Sequence, residues 1–415
     1  VLHTIDEREQ ICDNCGSTMV KVGEEFVRTE VQFIPAKLKV IDHYRETYEC
    51  RSCRKNGTPY MEKAPVPYPP VLHSLASAST ITWLIHQKFE LSIPLYRQEK
   101  EWEALGLRLS RATMSNWLLV VYRDWLVHIV HRLKLELLKQ RYLHIDETHV
   151  QVLKEPGRKN TSDSYMWVYC SIRDAVNPIR YFEYQPGRSG KYPEAFLREY
   201  EGYIHTDAYS GYNAVSGVKR CLCYTHLRRA FVDALPKDIH NSEASKPAEA
   251  ILRLNQLFNI ESELEAFPPD QKKKERLIRE KPLLEAFWSW AEKSAIGELP
   301  KSKLSKAFHY ALNNREGFWN YLEDGNCSIS NSLAENCIRP FVIGRKNWLF
   351  SGSPKGAEAS AGIYTLVETA KANGLAPMKY IKYILSDMPG SAFLEHPEYL
   401  DDYLPWNPLV KEFCR

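Results

Sequence analysis

The stretch that most constrains this chain is Arg141-Tyr-Leu-His-Ile-Asp-Glu-Thr-His-Val-Gln-Val-Leu153. Aliphatic and β-branched residues alternate there with polar ones, the period of a half-buried strand. Tyr142, His144, Asp146, Thr148, Val150 and Val152 share one face, and Leu143, Ile145 and Leu153 point the other way. Asp146 thus falls inside the strand, where an unpaired ionised carboxylate is costly. A divalent cation is one way to compensate it. An Asp at a frayed strand end is the plainer alternative.

A second strand repeats the theme. Tyr203-Ile-His-Thr-Asp207 is apolar, delivers an aspartate, and runs into the turn residues Ser210, Gly211 and Asn213. Far downstream, Glu335 opens a helix within Ser330-Asn-Ser-Leu-Ala-Glu-Asn-Cys-Ile-Arg339. Two strand aspartates and a helix glutamate can hold a pair of Mg²⁺ ions about 4 Å apart, the arrangement for in-line phosphoryl displacement. Ser332-x-x-Glu335 also fits a capping box, in which the Glu reaches back to a free N–H and does no chemistry.

The run Ala334-Glu-Asn-Cys-Ile-Arg-Pro-Phe-Val-Ile-Gly-Arg-Lys-Asn-Trp-Leu-Phe-Ser-Gly352, continued from Gly356 through Asn373-Gly-Leu-Ala-Pro377, resembles the signature of DDE transposases of the insertion sequence 66 family. The resemblance extends from the first cysteine pair to the final helices. It implies a ribonuclease-H-like catalytic core with Asp146, Asp207 and Glu335 as the acidic, Mg²⁺-binding triad. It also implies a protein that cuts and rejoins DNA at the ends of its own mobile element.

Ten cysteines in 415 residues are too few and too uneven for a disulfide framework. Four of them form Cys12-x-x-Cys15 and Cys50-x-x-Cys53, enough thiolates for one tetrahedral Zn²⁺. The 34 residues between the pairs exceed the usual ribbon spacing, and the alternation from Glu25 to Tyr48 predicts a hairpin to fill them. Two unrelated pairs of reduced thiols are the alternative; the resemblance, which implies a zinc module here, favours the metal. A net charge of only +3 does not by itself announce a nucleic-acid partner, so that case rests on local patches. With no run of eighteen apolar residues and no charged leader before an apolar core, the expectation is a cytoplasmic chain without membrane contact. Val1 in place of Met reads as a processed or partial frame, lacking the coiled-coil-like leader that family members usually carry.

Between these landmarks, residues 56–70 read as a linker and helices take over past Val71. A helix from Leu95, a turn at Gly106 and a second helix capped by Ser110 make a helix-turn-helix pattern that offers Arg111, Thr113, Ser115 and Asn116 to DNA. An ordinary helical hairpin fits as well. After the second aspartate, Cys223-Tyr-Thr-His226 resembles a string found in several DDE families; two ligands cannot complete a zinc site, so a hydrogen-bonded structural role is the expectation. Arg228 and Arg229 beside it are candidate phosphate contacts. The run Gln271-Lys-Lys-Lys-Glu-Arg276 reads as a solvated helix start. Arg339, Arg345, Lys346 and Lys355 around Trp348 and Phe350 suit a loop gripping a DNA end, although Trp348 could equally belong to the core.

The expected architecture is α/β: a zinc-binding module over residues 1–60, a helical helix-turn-helix-like region over 71–140, a ribonuclease-H-like domain over 141–390 with a helical insertion at about 231–325, and a tail over 391–415. The expected function is metal-dependent cleavage and strand transfer of double-stranded DNA. It would use two Mg²⁺ and one structural Zn²⁺ in a homo-oligomer that joins two element ends. A non-catalytic zinc and helix-turn-helix regulator, a nuclease that cuts without joining, and a decayed inactive transposase are the rivals.

Overall fold

The computed structural model describes residues 2–31, 37–236 and 245–415. Residues 32–36 of the expected hairpin and 237–244 of the expected insertion lie outside the described residues. The chain divides into two units, Val1–Tyr44 and Arg45–Arg415.

In the first unit, Cys12 and Cys15 sit on a turn closed by an antiparallel bridge between Ile11 and Thr18. The hairpin predicted over Glu25 to Tyr48 is not found: residues 25–31 and 37–46 carry no strand. The ribbon instead forms in the second unit, where β1 (Thr47–Glu49) pairs antiparallel with β2 (Met61–Lys63) around the second cysteine pair. Half of this ribbon therefore comes from the stretch read as a linker. Alternation alone could not locate the partner, because a three-residue strand is too short to show a period.

The second unit is built on a six-stranded sheet. Its members are β3 (Tyr142–Val152), β4 (Asp163–Ser171), β5 (Arg180–Gln185), β6 (Tyr203–Thr206), β7 (Lys219–Leu222) and β8 (Phe350–Ser351). The order is β5-β4-β3-β6-β7; β8 pairs with the far end of β3. β3, β4 and β5 run antiparallel to one another, whereas β6 is parallel to β3 and β7 to β6. A parallel step needs a crossover, and the helix Lys191–Phe196 lies in the connection from β5 to β6.

The edge strand β5 would expose unpaired backbone groups, a liability for any sheet. Thr365 and Thr369 of the helix Pro354–Ala372 cover it: their hydroxyls accept from the backbone N–H of Phe182 (2.8 Å) and Arg180 (3.1 Å). That helix approaches its neighbours closely through small residues. A Cβ on Gly362 would lie 2.0 Å from the Tyr122 ring, so only glycine fits there.

Between β7 and the segment leading to Glu335, helices Lys246–Glu263, Lys281–Ala295 and Lys303–Asn313 build a second apolar core. This core also buries Tyr203 of β6 and Leu222 of β7, so the insertion is packed onto the sheet rather than hung from it. Arg276, read as part of a solvated run, is fully buried instead. Its guanidinium pairs with Glu261 at 2.6 and 2.8 Å and donates to the carbonyls of Tyr321, Asp324 and Cys327. The run conceals an inward face: Lys272 and Arg276 stand one turn apart, and both reach Glu261, Lys272 at 3.3 Å.

At the C-terminus, the helix Pro408–Cys414 docks by a hydrogen bond from Ala376 N–H to the Cys414 carbonyl (2.7 Å), and Asp401 pairs with Arg132 at 2.6 Å. Among the described residues no helix is long and apolar enough to cross a membrane.

Candidate active site

The parallel pairing of β3 with β6 sets Tyr142 beside Tyr203, Leu143 beside Ile204 and His144 beside His205. Continued two residues further, the same register brings Asp146, within the body of β3, level with Asp207, the residue that follows β6. Both strands read Tyr-x-His-x-Asp, and the first two pairs stack: the tyrosine rings at 5.6 Å between centroids, the histidine rings at 4.2 Å. Burial pushes the His144 imidazole well below its usual range, so His144 is neutral and the stack carries no like-charge cost. This identity repeat was a signal in the sequence that reading each strand alone overlooked.

The third carboxylate is brought in by Asn331. It stands at the N-cap of the helix Ser332–Trp348, but its side chain does no capping. Instead it is buried against β3, its amide donating to the Ile145 carbonyl (2.7 Å) and its oxygen lying 3.0 Å from His144 Nδ1. One residue thereby pins the start of the helix to the strand that carries Asp146. Glu335 follows one turn later. The capping-box alternative does not hold here: Ser332 lies inside the helix, and Glu335 Oε1 is buried without a hydrogen-bond partner.

The neighbouring carboxylates act on Asp146 electrostatically. The Asp146 carboxyl is pushed up to about 7, first by burial, then by the negative charge of Glu147, Asp207 and Glu335. It receives a hydrogen bond from Glu147 N–H (2.9 Å), and no basic side chain among the described residues pairs with it. Asp207 Oδ1 accepts from Tyr209 N–H at 3.0 Å. Free lone pairs on several carboxylate oxygens and a net negative charge fit hard divalent cations, which prefer oxygen ligands.

Three residues not singled out from the sequence, Glu147, Arg188 and Arg220, hold this arrangement. Glu147 is buried on the opposite face of β3 and accepts from Arg188 Nε (2.6 Å) and the Tyr212 hydroxyl (2.5 Å). Arg188 also lies 3.9 Å from Asp207 and stacks on Tyr209. Arg220 donates to the carbonyls of Asp207 (2.6 Å) and Tyr209 (2.8 Å), fixing the loop after β6. All these contacts span many residues of sequence, and no local pattern encodes them.

The basic candidates divide. Arg229 reaches to 3.9 Å from Glu335, and Arg345 donates to Thr148, two residues beyond Asp146 on the same face of β3 (3.3 Å). Arg339 and Lys346 are exposed on the helix that carries Glu335. Arg228 turns away to Asn255 of the insertion (2.7 Å), which leaves Arg229 as the member of that pair near the carboxylates. Trp348 is half-buried, packed over Gly344 with Lys88 above its ring at 5.4 Å. Further off, Arg111, Thr113, Ser115 and Asn116 are all exposed on the helix Arg111–Val121, while Trp117, Leu118 and Val121 are buried as expected.

The cysteine pairs are described separately. In the first unit, the Cys15 thiol is held below its ordinary range by the Ser17 N–H. In the second, Cys50 caps the helix Arg51–Lys55 and is lowered by the N–H of Cys53. Backbone donors to sulfur favour the thiolate, the form that binds metal.

The mixed sheet bearing Asp146 and Asp207, the helix bearing Glu335 and the cysteine pairs upstream fit the domain pattern of a transposase. Residues 73–359 match the family described as "Transposase IS66 family", and residues 9–54 match the "zinc-finger binding domain of transposase IS66". The chain belongs to the IS66 transposase family. It is also similar to three uncharacterized proteins of Sinorhizobium fredii (strain NBRC 101917 / NGR234). It is 26% identical to y4hP over 96% of this chain and 75% of that protein, and 26% identical to y4jD over 97% and 79%. For y4qI the identity is 27% over 98% and 75%. The family carries divalent-metal, zinc and DNA-binding functions, and this chain has the domains of a transposase.

Proposed function

We propose that the chain catalyses cleavage of DNA at the ends of a mobile element and transfer of the freed strand, with Asp146, Asp207 and Glu335 as its metal-binding carboxylates. The observation that carries this reading is the convergence of three carboxylates from two parallel strands and a helix around an Asp146 that has no cation of its own. The order β5-β4-β3-β6-β7, antiparallel on one side of β3 and parallel on the other, supports a ribonuclease-H-like core. Mg²⁺ bound there would supply Lewis-acid activation of the attacking oxygen and charge neutralisation at the leaving one.

The chain's own residues do the rest. Arg188 and Arg220 fix the Asp207 loop, and Asn331 sets the distance of Glu335 from β3. Arg229 and Arg345 flank the carboxylates and are placed to hold phosphates of the reacting strands; Arg339, Lys346 and Trp348 extend that surface along one helix. Arg111 and Asn116 are exposed for a separate DNA contact. Two ends must meet for joining, so we infer a homo-oligomer on DNA.

Cleavage and joining of element-end DNA with Mg²⁺ test the proposal. Asp207→Asn keeps the shape and removes the charge, and the rate is expected to fall by two or more orders of magnitude. A parental rate would take Asp207 out of the site. For the zinc, we propose that Cys12, Cys15, Cys50 and Cys53 ligate one ion, supported by the family match over 9–54. Metal analysis should find one zinc per chain, absent from Cys12→Ser with Cys50→Ser; full zinc content in that variant would remove the assignment.

A further inference from the structure

Among the described residues, two clusters of His, Cys and acidic side chains bring three donor atoms within 4.8 Å of one another: His205 with Cys221 and Cys327, and Cys223 with His226 and Glu335. The first is spoken for. His205 Nδ1 lies 3.0 Å from the Leu143 carbonyl and its Nε2 accepts from Ser328 N–H at 2.9 Å, so that imidazole has no free lone pair.

The second differs in each respect. His226 Nδ1 and Glu335 Oε1 face each other at 3.6 Å, and both are buried without a hydrogen-bond partner. That distance is too long for a hydrogen bond. It is close to the ligand–ligand spacing of roughly 3.4 Å that follows from tetrahedral bonds of about 2.0–2.1 Å to one ion. Cys223 and His226 stand three residues apart, at the N-cap and in the first turn of the helix Tyr224–Val232, which turns both toward one side. Cys223 Sγ accepts from Asn331 N–H at 3.1 Å, the residue that also pins the Glu335 helix. The two helix starts that carry the three donors are thus locked together.

We propose that Cys223, His226 and Glu335 form a transition-metal site that takes Zn²⁺ in preference to Mg²⁺ and, in doing so, withdraws Glu335 from the other two carboxylates. Sulfur and imidazole donors select Zn²⁺ and its Co²⁺ substitute, whereas Mg²⁺ demands oxygen. On binding, the Cys223 thiol gives its proton to solvent and the thiolate becomes the ligand. The side chains of His226 and Glu335 are 27% and 28% exposed, which leaves a fourth position open to solvent. Arg229, 3.9 Å from the other Glu335 oxygen, is 55% exposed and free to swing away. Zinc at this site is therefore an inhibitor of the proposed DNA chemistry. The binding itself stands without that chemistry and is read without DNA.

Co²⁺ is titrated into full-length chain purified with its own zinc, and thiolate-to-cobalt absorbance is followed. The expected result is a thiolate band that Cys223→Ser abolishes and that His226→Gln and Glu335→Gln each weaken tenfold or more in affinity. His226 is half-exposed, so its variant keeps the test alive if the serine variant fails to fold. A wild type without the band, or a band of full strength and affinity in folded Cys223→Ser or His226→Gln, would overturn the site. In the cleavage assay, Zn²⁺ added over Mg²⁺ should inhibit the wild type at least tenfold more strongly than Cys223→Ser. Equal inhibition would overturn the inhibitory role. Failure of cleavage in all chains, with the cobalt band intact, would count against the catalytic reading alone.

Discussion

Two regions of the second unit gather charge, and they treat it in opposite ways. In the helical insertion, buried Arg276 is met by both oxygens of Glu261 and by three backbone carbonyls. Where β3 and β6 meet the helix Ser332–Trp348, Asp146, Asp207 and Glu335 accumulate like charge, and Asp146 has no basic partner among the described residues. Buried charge that only holds a fold is paired, because leaving it unpaired costs several kcal/mol. Buried charge left uncompensated is a site waiting for a ligand. The two regions are also connected: Arg276 grips the 321–327 segment through which the chain returns from the insertion toward Asn331 and Glu335.

The largest expected effect breaks the paired side. Arg276→Ala strands Glu261 in the insertion core and is expected to cost about 3–5 kcal/mol of stability, read as a drop in denaturation midpoint. A change under about 1 kcal/mol would mean that the insertion does not depend on this pair.

A somewhat smaller effect sharpens the unpaired side. The Asp146 carboxyl is raised to about 7 in the fold from about 4 when unfolded. Its ionisation therefore opposes folding: the cost is nil below pH 4, grows between pH 4 and 7, and is constant above. Asp146→Asn is expected to stabilise the metal-free chain by up to about 4 kcal/mol above pH 7, a gain that shrinks towards pH 4. Mg²⁺ should raise the melting temperature of the parent above pH 7 and leave Asp146→Asn unmoved. A parent whose melting temperature ignores Mg²⁺ at pH 8, or an Asn variant no more stable than the parent there, would contradict the convergence of charge.

The placement of the two aspartates on neighbouring strands is legible because a carboxylate stands out among aliphatic residues of period two; the Tyr-x-His-x-Asp repeat that pairs those strands is a signal the single-strand reading leaves unused. Glu335 has two readings from spacing alone, and the resemblance rather than the local pattern favours the metal; the structure removes the capping box, because Asn331 rather than Ser332 stands at the N-cap and Glu335 Oε1 has no hydrogen-bond partner. Glu147, Arg188 and Arg220 were not legible, since their roles arise only where distant loops meet. Arg276 was misread for the opposite reason: a run of cations looks solvated until the phase of the helix is known. Cys223 and His226 are by themselves too few for a metal site, and Glu335, whose donor atom lies beside theirs, comes from a helix more than a hundred residues on.

The measurement that bears most directly on the central claim is Glu335→Gln, examined for melting temperature and for cleavage and joining of element-end DNA on the same preparation. Gln conserves the shape and removes the charge. Stability is expected to stay within about 1 kcal/mol of the parent, while cleavage falls by two or more orders of magnitude. A folded Glu335→Gln chain that cuts and joins at the parental rate would contradict the account.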